Sequence, residues 1–267
     1  MKPLLSIVIP TKDRYSTLIS VLRGLVKDFI DSDVEFIIQD NTNNNNEILL
    51  FLSKLSCKKI QYFHAPFPMS VTENCDHAVK NSQGKYLIMI GDDDYVLPVI
   101  IAAVNWMEEN EVECLNSNTA TYFWPDLSFK YQTRVSKSAT LLISTPVKKT
   151  FKKVDAIQEL RKVIKSGGID FANLPRLYHG IVKRTVLERI YNQCQTFFPG
   201  PSPDMANSSA LAIFTKNYAI YNFPFSISGK STSSTSGMGV NHTHIGSLDD
   251  KKEIASKPRT VRAINAT

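Results

Sequence analysis

The sequence predicts an α/β fold, a Rossmann-like, mostly parallel sheet with flanking helices. Three observations carry the prediction. Short apolar runs alternate with amphipathic stretches over the first 110 residues, and turn-forming residues separate them at the spacing of successive βα units. The chain also has 267 residues, 43% of them hydrophobic, enough to bury a core without disulfides or a structural metal.

Each element has its own signature. Residues 4–9 form a first strand, and residues 15–29 a helix with Leu18, Val21, Leu22, Leu25 and Val26 at helical spacing. Residues 34–38 are a second strand, followed by an Asn-rich turn and a helix over 47–55; residues 60–63 are a third strand. Ser70 caps the next helix, which runs to Asn81, with Glu73 three residues on as its capping-box partner. Gly84 stops that helix and leads into a fourth strand at 85–90. Then come Gly91-Asp92-Asp93-Asp94-Tyr95-Val96-Leu97-Pro98 and a helix to about residue 109.

Beyond residue 110 the pattern weakens. Residues 113–124 and 218–222 look strand-like, 154–165, 184–193 and 205–214 helical, and 133–150 polar and weakly patterned. The run from Gly229 to Gly237 reads as a flexible Ser/Thr-rich loop. We expect a nucleotide-binding half over 1–110, an acceptor-binding half over 111–250 within the same domain, and a basic tail or the start of a further segment at 251–267.

Composition narrows the function classes. No apolar run approaches the roughly 18 residues needed to cross a bilayer. The N-terminus lacks a small-residue cleavage site, and Cys57, Cys75, Cys114 and Cys194 are scattered, so a reduced, cytoplasmic setting is expected. The formal charge of +6 suits an anionic ligand or membrane face, and no zinc-finger or RNA-binding signature points to nucleic acid. Five basic residues against one acidic in 251–267 suggest peripheral contact with an anionic bilayer, or a solvated tail.

The acidic triplet is the strongest chemical signal. Three adjacent carboxylates repel one another unless a cation or several donors satisfy them. Placed at the carboxyl end of a buried strand, where open α/β sheets bind ligands, they suit a Mg²⁺ or Mn²⁺ ion bridging to a diphosphate. A solvated turn capping the next helix is the plainer alternative. Pro10-Thr11-Lys12-Asp13-Arg14, between the first strand and helix, could hold a nucleotide with its amides and polar side chains, or simply cap the helix. Asp40-Asn41 could accept a hydrogen bond from a base or ribose, or form an Asx turn.

Taken together, SIVIPTKDR at 6–14, FIIQDN at 36–41, ENCD at 73–76 and GKYLIMIGDDDYVLP at 84–98 resemble the family 2 glycosyltransferases of GT-A fold. The resemblance covers about the first 110 residues. It implies that Thr11, Asp13 and Asp40 contact uracil and ribose, that Asp92 contacts ribose or a neighbouring cation, and that Asp93 or Asp94 binds the metal. The family's usual acidic residue before Asp92 is Gly91 here, which leaves the metal ligand open between Asp93 and Asp94. Asn74 and Asp76 match a polar pair on the third helix; exposed polar positions would look the same.

An inverting transfer needs a base for the acceptor hydroxyl. Asp204, at a helix start, resembles the family's catalytic Asp, with Asp170 as runner-up and an ordinary N-terminal cap as the bland reading. His242 and His244 could complete metal coordination, and Lys230 could sit on a lid over the donor. The resemblance implies transfer of a hexosyl or N-acetylhexosaminyl group from a UDP-sugar to a saccharide acceptor, lipid-linked in some pathways, in capsule, O-antigen or related polymer synthesis. The competing classes are a sugar-phosphate nucleotidyltransferase, disfavoured by the glycine-free loop after the first strand, and a non-catalytic nucleotide-sugar or glycan-binding domain.

Overall fold

A computed structural model describes residues 2–129, 137–143, 147–169, 173–200 and 202–240. The first half is a run of βα units: β1 (Leu5–Thr11), α1 (Tyr15–Asp28), β2 (Val34–Asp40), α2 (Asn46–Leu55), β3 (Ile60–His64), α3 (Val71–Asn81) and β4 (Tyr86–Met89), then a short β5 (Tyr95–Val96) and α4 (Val99–Glu109). The second half adds β6 (Cys114–Ser117), β7 (Ala120–Phe123), β8 (Thr140–Leu142), β9 (Phe151–Val154), α5 (Ala156–Lys165), β10 (Gly180–Lys183), α6 (Arg184–Cys194), α7 (Pro203–Phe214), β11 (Tyr218–Tyr221), β12 (Ser226–Lys230) and α8 (Thr235–Val240).

Eight strands form one mixed sheet in the order β3-β2-β1-β4-β10-β6-β11-β9. The four N-terminal strands are parallel, and β10 joins antiparallel to β4, so both halves of the chain share this sheet. Strand alternation splits the core into two layers. Leu5, Ile7 and Ile9 of β1 and Tyr86 and Ile88 of β4 face α1 and α4, whereas Val8, Leu87 and Met89 face the layer holding α3, α6 and α7. All eight are essentially inaccessible, and burying an aliphatic one of them contributes about 1.5–3 kcal/mol. At the switch point, where β2 and β4 flank β1, the carboxyl ends of β1, β2 and β4 lie side by side.

A second sheet, β5-β12-β7-β8, stands beside these ends. It corrects two expectations. Residues 113–124 are not one strand but two, β6 in the large sheet and β7 in the small one. The stretch read as a flexible loop from Gly229 is in part strand β12 and helix α8, with Ser231 and Ser234 buried. Lys230 belongs to β12 and lies over the Phe123 ring, 5.5 Å from its centroid. Strands β9 and β10 carry no clear alternation in the sequence and appear only through pairing.

The capping box on α3 forms as expected: Ser70 accepts from the Glu73 amide, and the Glu73 carboxylate accepts from the Ser70 amide. Asn74 and Asp76 are buried rather than exposed; Asp76 accepts from Thr196 Oγ1 at 2.6 Å and the Phe197 amide at 2.8 Å, tying α3 to the loop before α7.

Candidate active site

The nucleotide-side residues gather at the switch point. Thr11 and Asp40 are terminal residues of β1 and β2 and pair directly across the sheet. The Thr11 hydroxyl donates to Asp92 Oδ2 at 2.6 Å, and Arg14 Nε lies 2.9 Å from Asp92 Oδ1 without the alignment of a hydrogen bond. Asp92 is fully buried. Burial pushes its carboxyl up to about 7 against the opposing pull of Arg14 and Thr11. Pro10 is half-buried at the end of β1, and Asp13 is exposed with φ of 57°, its amide donating to Thr42 Oγ1. Asn74 reaches the site from α3, its Nδ2 near the carbonyls of Thr11 and Gln39 and its buried Oδ1 without a partner. Asp40 is fully buried: its Oδ2 accepts from the hydroxyls of both Tyr15 and Tyr62 at 2.6 Å, its Oδ1 from the Thr42 amide.

The triplet divides by hydrogen bonding. Asp94 is saturated, with Oδ1 accepting from the Gly229 amide at 2.7 Å and Oδ2 from the Gly91 amide at 2.7 Å and the Tyr178 hydroxyl at 2.6 Å. His179 Nε2 lies 3.1 Å from the same oxygen. Burial opposes charge on Asp94, but His179 and these donors hold its carboxyl below the usual range. Asp93 is different. Its Oδ2 accepts from the amide and hydroxyl of Ser231, and its carbonyl from Trp124 Nε1, whereas Oδ1 takes no hydrogen bond among the described residues. Burial and the neighbouring Asp94 charge raise its carboxyl.

Glycines permit the approach of the second sheet. A Cβ on Gly229 would fall inside the contact radius of the Asp93 carbonyl oxygen. A Cβ on Gly91 would stand 3.0 Å from Asp94 Oδ2 and 3.3 Å from the Tyr178 hydroxyl. A side chain at Gly91 would therefore crowd the Asp94 carboxylate and the Tyr178 hydroxyl, which would have to give way.

The second half brings Asp204 to the same region. It sits in the first turn of α7, exposed at the rim of a cavity of about 230 Å³ whose walls include Arg176, Tyr178, His179, Ser208 and Ser228. Crowding by protein raises its carboxyl, with His179 and Arg176 acting in the opposite sense and Asp94 adding to the rise. His179 holds a left-handed φ of 59°, a costly conformation for a side chain of this size, and its buried ring contacts Ser226 through Nδ1. A second cavity of about 230 Å³ lies by Asp93, Tyr95, Tyr122 and Trp124. A third cavity, of about 460 Å³ beside β9 and β11, includes none of the triplet.

Sequence reasoning missed Arg176, Tyr178, His179 and Ser231, which carry no motif of their own. His242, His244, Asp170 and residues 251–267 lie outside the described residues. Among the described residues no cluster of three His, Cys, Asp or Glu side chains could by itself hold a metal.

Comparison with known proteins accords with this architecture. The chain superposes on the structure of S. aureus TarS 1-349 in complex with UDP-GlcNAc with a TM-score of 0.64 at 14% identity, over 95% of this chain and 64% of that one. The complex of the same segment with UDP gives 0.59 at 12%, over 95% and 68%, and a longer TarS chain 0.59 at 12%, over 87% and 37%. The protein thus spans less than two thirds of two of these chains. No curated protein matches it closely enough to count. The GT-A fold is shared with these structures; the family is decided by the sequence itself, which matches the Glycosyl transferase family 2 model over residues 6–169. That match runs from the first strand through the acidic turn and past α5, more than half the protein, and so the chain belongs to glycosyl transferase family 2.

Proposed function

We propose that the protein is an inverting glycosyltransferase that moves a sugar from a UDP-sugar to a hydroxyl of a growing bacterial surface glycan. The observation that carries this reading is the juxtaposition of the acidic turn and Asp204: the Tyr178–His179 pair touches Asp94 on one side and lines the cavity of Asp204 on the other. The TarS complexes with UDP-GlcNAc and UDP support a uridine nucleotide as the donor's carrier.

In this reading Pro10, Thr11, Asp13, Arg14, Asn74 and Asp92 form the nucleoside side, with Asp40 as the anchor of Tyr15 and Tyr62. Asp204, exposed and with a raised carboxyl, takes the proton of the acceptor hydroxyl as that oxygen attacks the anomeric carbon and UDP departs from the opposite face. Asp93 is the residue of the triplet that fits a divalent cation, through its unengaged Oδ1, whereas Asp94 is committed to pinning the turn. One carboxylate oxygen suffices for Mg²⁺ or Mn²⁺ when phosphate oxygens and water supply the rest, and such an ion neutralises charge on the leaving diphosphate. His242 belongs to the proposal as a further ligand, and residues 251–267 as a contact with the inner membrane face from a cytoplasmic location. No helix among the described residues is long and apolar enough to cross a membrane.

Calorimetric titration with UDP, with and without Mn²⁺, tests the reading. Micromolar binding enhanced by Mn²⁺, with the enhancement lost in Asp93→Asn, is the expected result. An absence of UDP binding in both conditions would remove the donor assignment.

A further inference from the structure

Among the described residues six buried side-chain polar atoms have no hydrogen-bond partner, and three of them, Arg176 Nε, His179 Nε2 and Ser208 Oγ, belong to residues lining the cavity that Asp204 borders. His179 Nε2 has the Asp94 carboxylate 3.1 Å away. Arg176 feels the Asp204 charge across the cavity but has no carboxylate in contact, and Ser208 has no partner at all among the described residues. Arg176 makes no ion pair among the described residues; its guanidinium reaches only the Ser117 carbonyl, at 3.5 Å. Ser208 is fully buried on α7, one turn beyond Asp204. Leaving a buried donor unsatisfied costs about 1–3 kcal/mol, and more for a charged one, so such atoms in a cavity wall point to a ligand that completes them.

The chemistry of the wall selects the ligand. A guanidinium only donates, and a serine hydroxyl with no acceptor near it is free to donate, so the complementary group is rich in acceptors and negatively charged. Asp204, on the same cavity, repels an anion that comes close to it and welcomes a hydroxyl. We propose that the cavity is an acceptor subsite for a saccharide carrying both features, a hydroxyl presented to Asp204 and an anionic group, carboxylate or phosphate, bound by Arg176 with Ser208 beside it. The inference rests on the glycosyltransferase reading and deepens it: the acceptor is an acidic sugar or a sugar phosphate rather than a neutral glycan end. Arg176 is then a specificity-determining residue, and a neutral acceptor of the same shape leaves its buried Nε without an anionic partner.

The test uses the full chain saturated with UDP and Mn²⁺, and saturation-transfer NMR with four probes: methyl glucuronoside, glucose 6-phosphate, and their neutral counterparts methyl glucoside and glucose. One or both anionic probes should bind at least about tenfold more tightly than their neutral counterparts, a loss of roughly 1.4 kcal/mol on removing the charge. Which of the two binds separates a carboxylate from a phosphate. Arg176→Gln should abolish the preference, Arg176→Lys should restore part of it, and both should keep UDP affinity within about twofold. Equal binding of anionic and neutral probes, or no binding of any, overturns the inference while UDP binding leaves the donor reading standing. A loss of UDP affinity in Arg176→Gln overturns it too, by assigning the guanidinium to the donor diphosphate.

Discussion

Asp93 and Asp94 are neighbours with the same side chain, and the structure gives them different work. Asp94 receives three hydrogen bonds and the His179 contact while almost wholly buried, so removing its charge strands the Gly91 and Gly229 amides that face it. Asp94→Ala should lower unfolding free energy by about 3 kcal/mol, read by denaturant titration. Asp93→Asn keeps a carbonyl oxygen for Ser231 and should cost less than half as much, yet it should lose the Mn²⁺ enhancement of UDP binding. On the base role proposed for Asp204, Asp204→Asn should reduce transfer by at least about a hundredfold while calorimetry finds UDP affinity unchanged. Unaltered turnover in that variant would take the proton from Asp204 and give it to another group. Gly229→Ala forces a methyl against the Asp93 carbonyl, so both the melting temperature and UDP affinity should fall.

At the level of elements, legibility followed how local the determinant is. The α3 boundary was readable because Ser70 and Glu73 satisfy each other within one turn; Ser70→Ala should cost about 1 kcal/mol in urea unfolding and leave the site's geometry intact. Strands β1, β2 and β4 were readable because both their faces are buried, which writes a continuous apolar run into the sequence. Strand β12 was not. Ser226, Ser228 and Gly229 have no strand signature, and their extended conformation comes from pairing with β5 and β7 and from the Asp94 carboxylate that accepts the Gly229 amide. Helix α7 begins at Pro203, earlier than its apolar spacing suggests, and that difference places Asp204 within its first turn.

Over the whole molecule, the parallel half supplies a rigid rim at the switch point and the second half folds back on it twice, through β10 alongside β4 and through β12 alongside β5. The residues flanking these two strands, Tyr178 and His179 before β10 and Ser231 after β12, are the ones that close on the triplet from opposite directions. The sequence by itself determined the βα architecture, the family, and the nomination of Thr11, Asp92, Asp93, Asp94 and Asp204 as candidates, because these depend on periodicity, short-range capping and contiguous motifs. Only the tertiary structure gave Asp93 and Asp94 different hydrogen-bond partners, turned part of a Ser/Thr-rich stretch into the strand that pins the acidic turn, and left Arg176 Nε and Ser208 Oγ without partners among the described residues. The physical reason is that a carboxylate's role depends on which donors surround it, and here those donors arrive from positions up to 138 residues away in the chain.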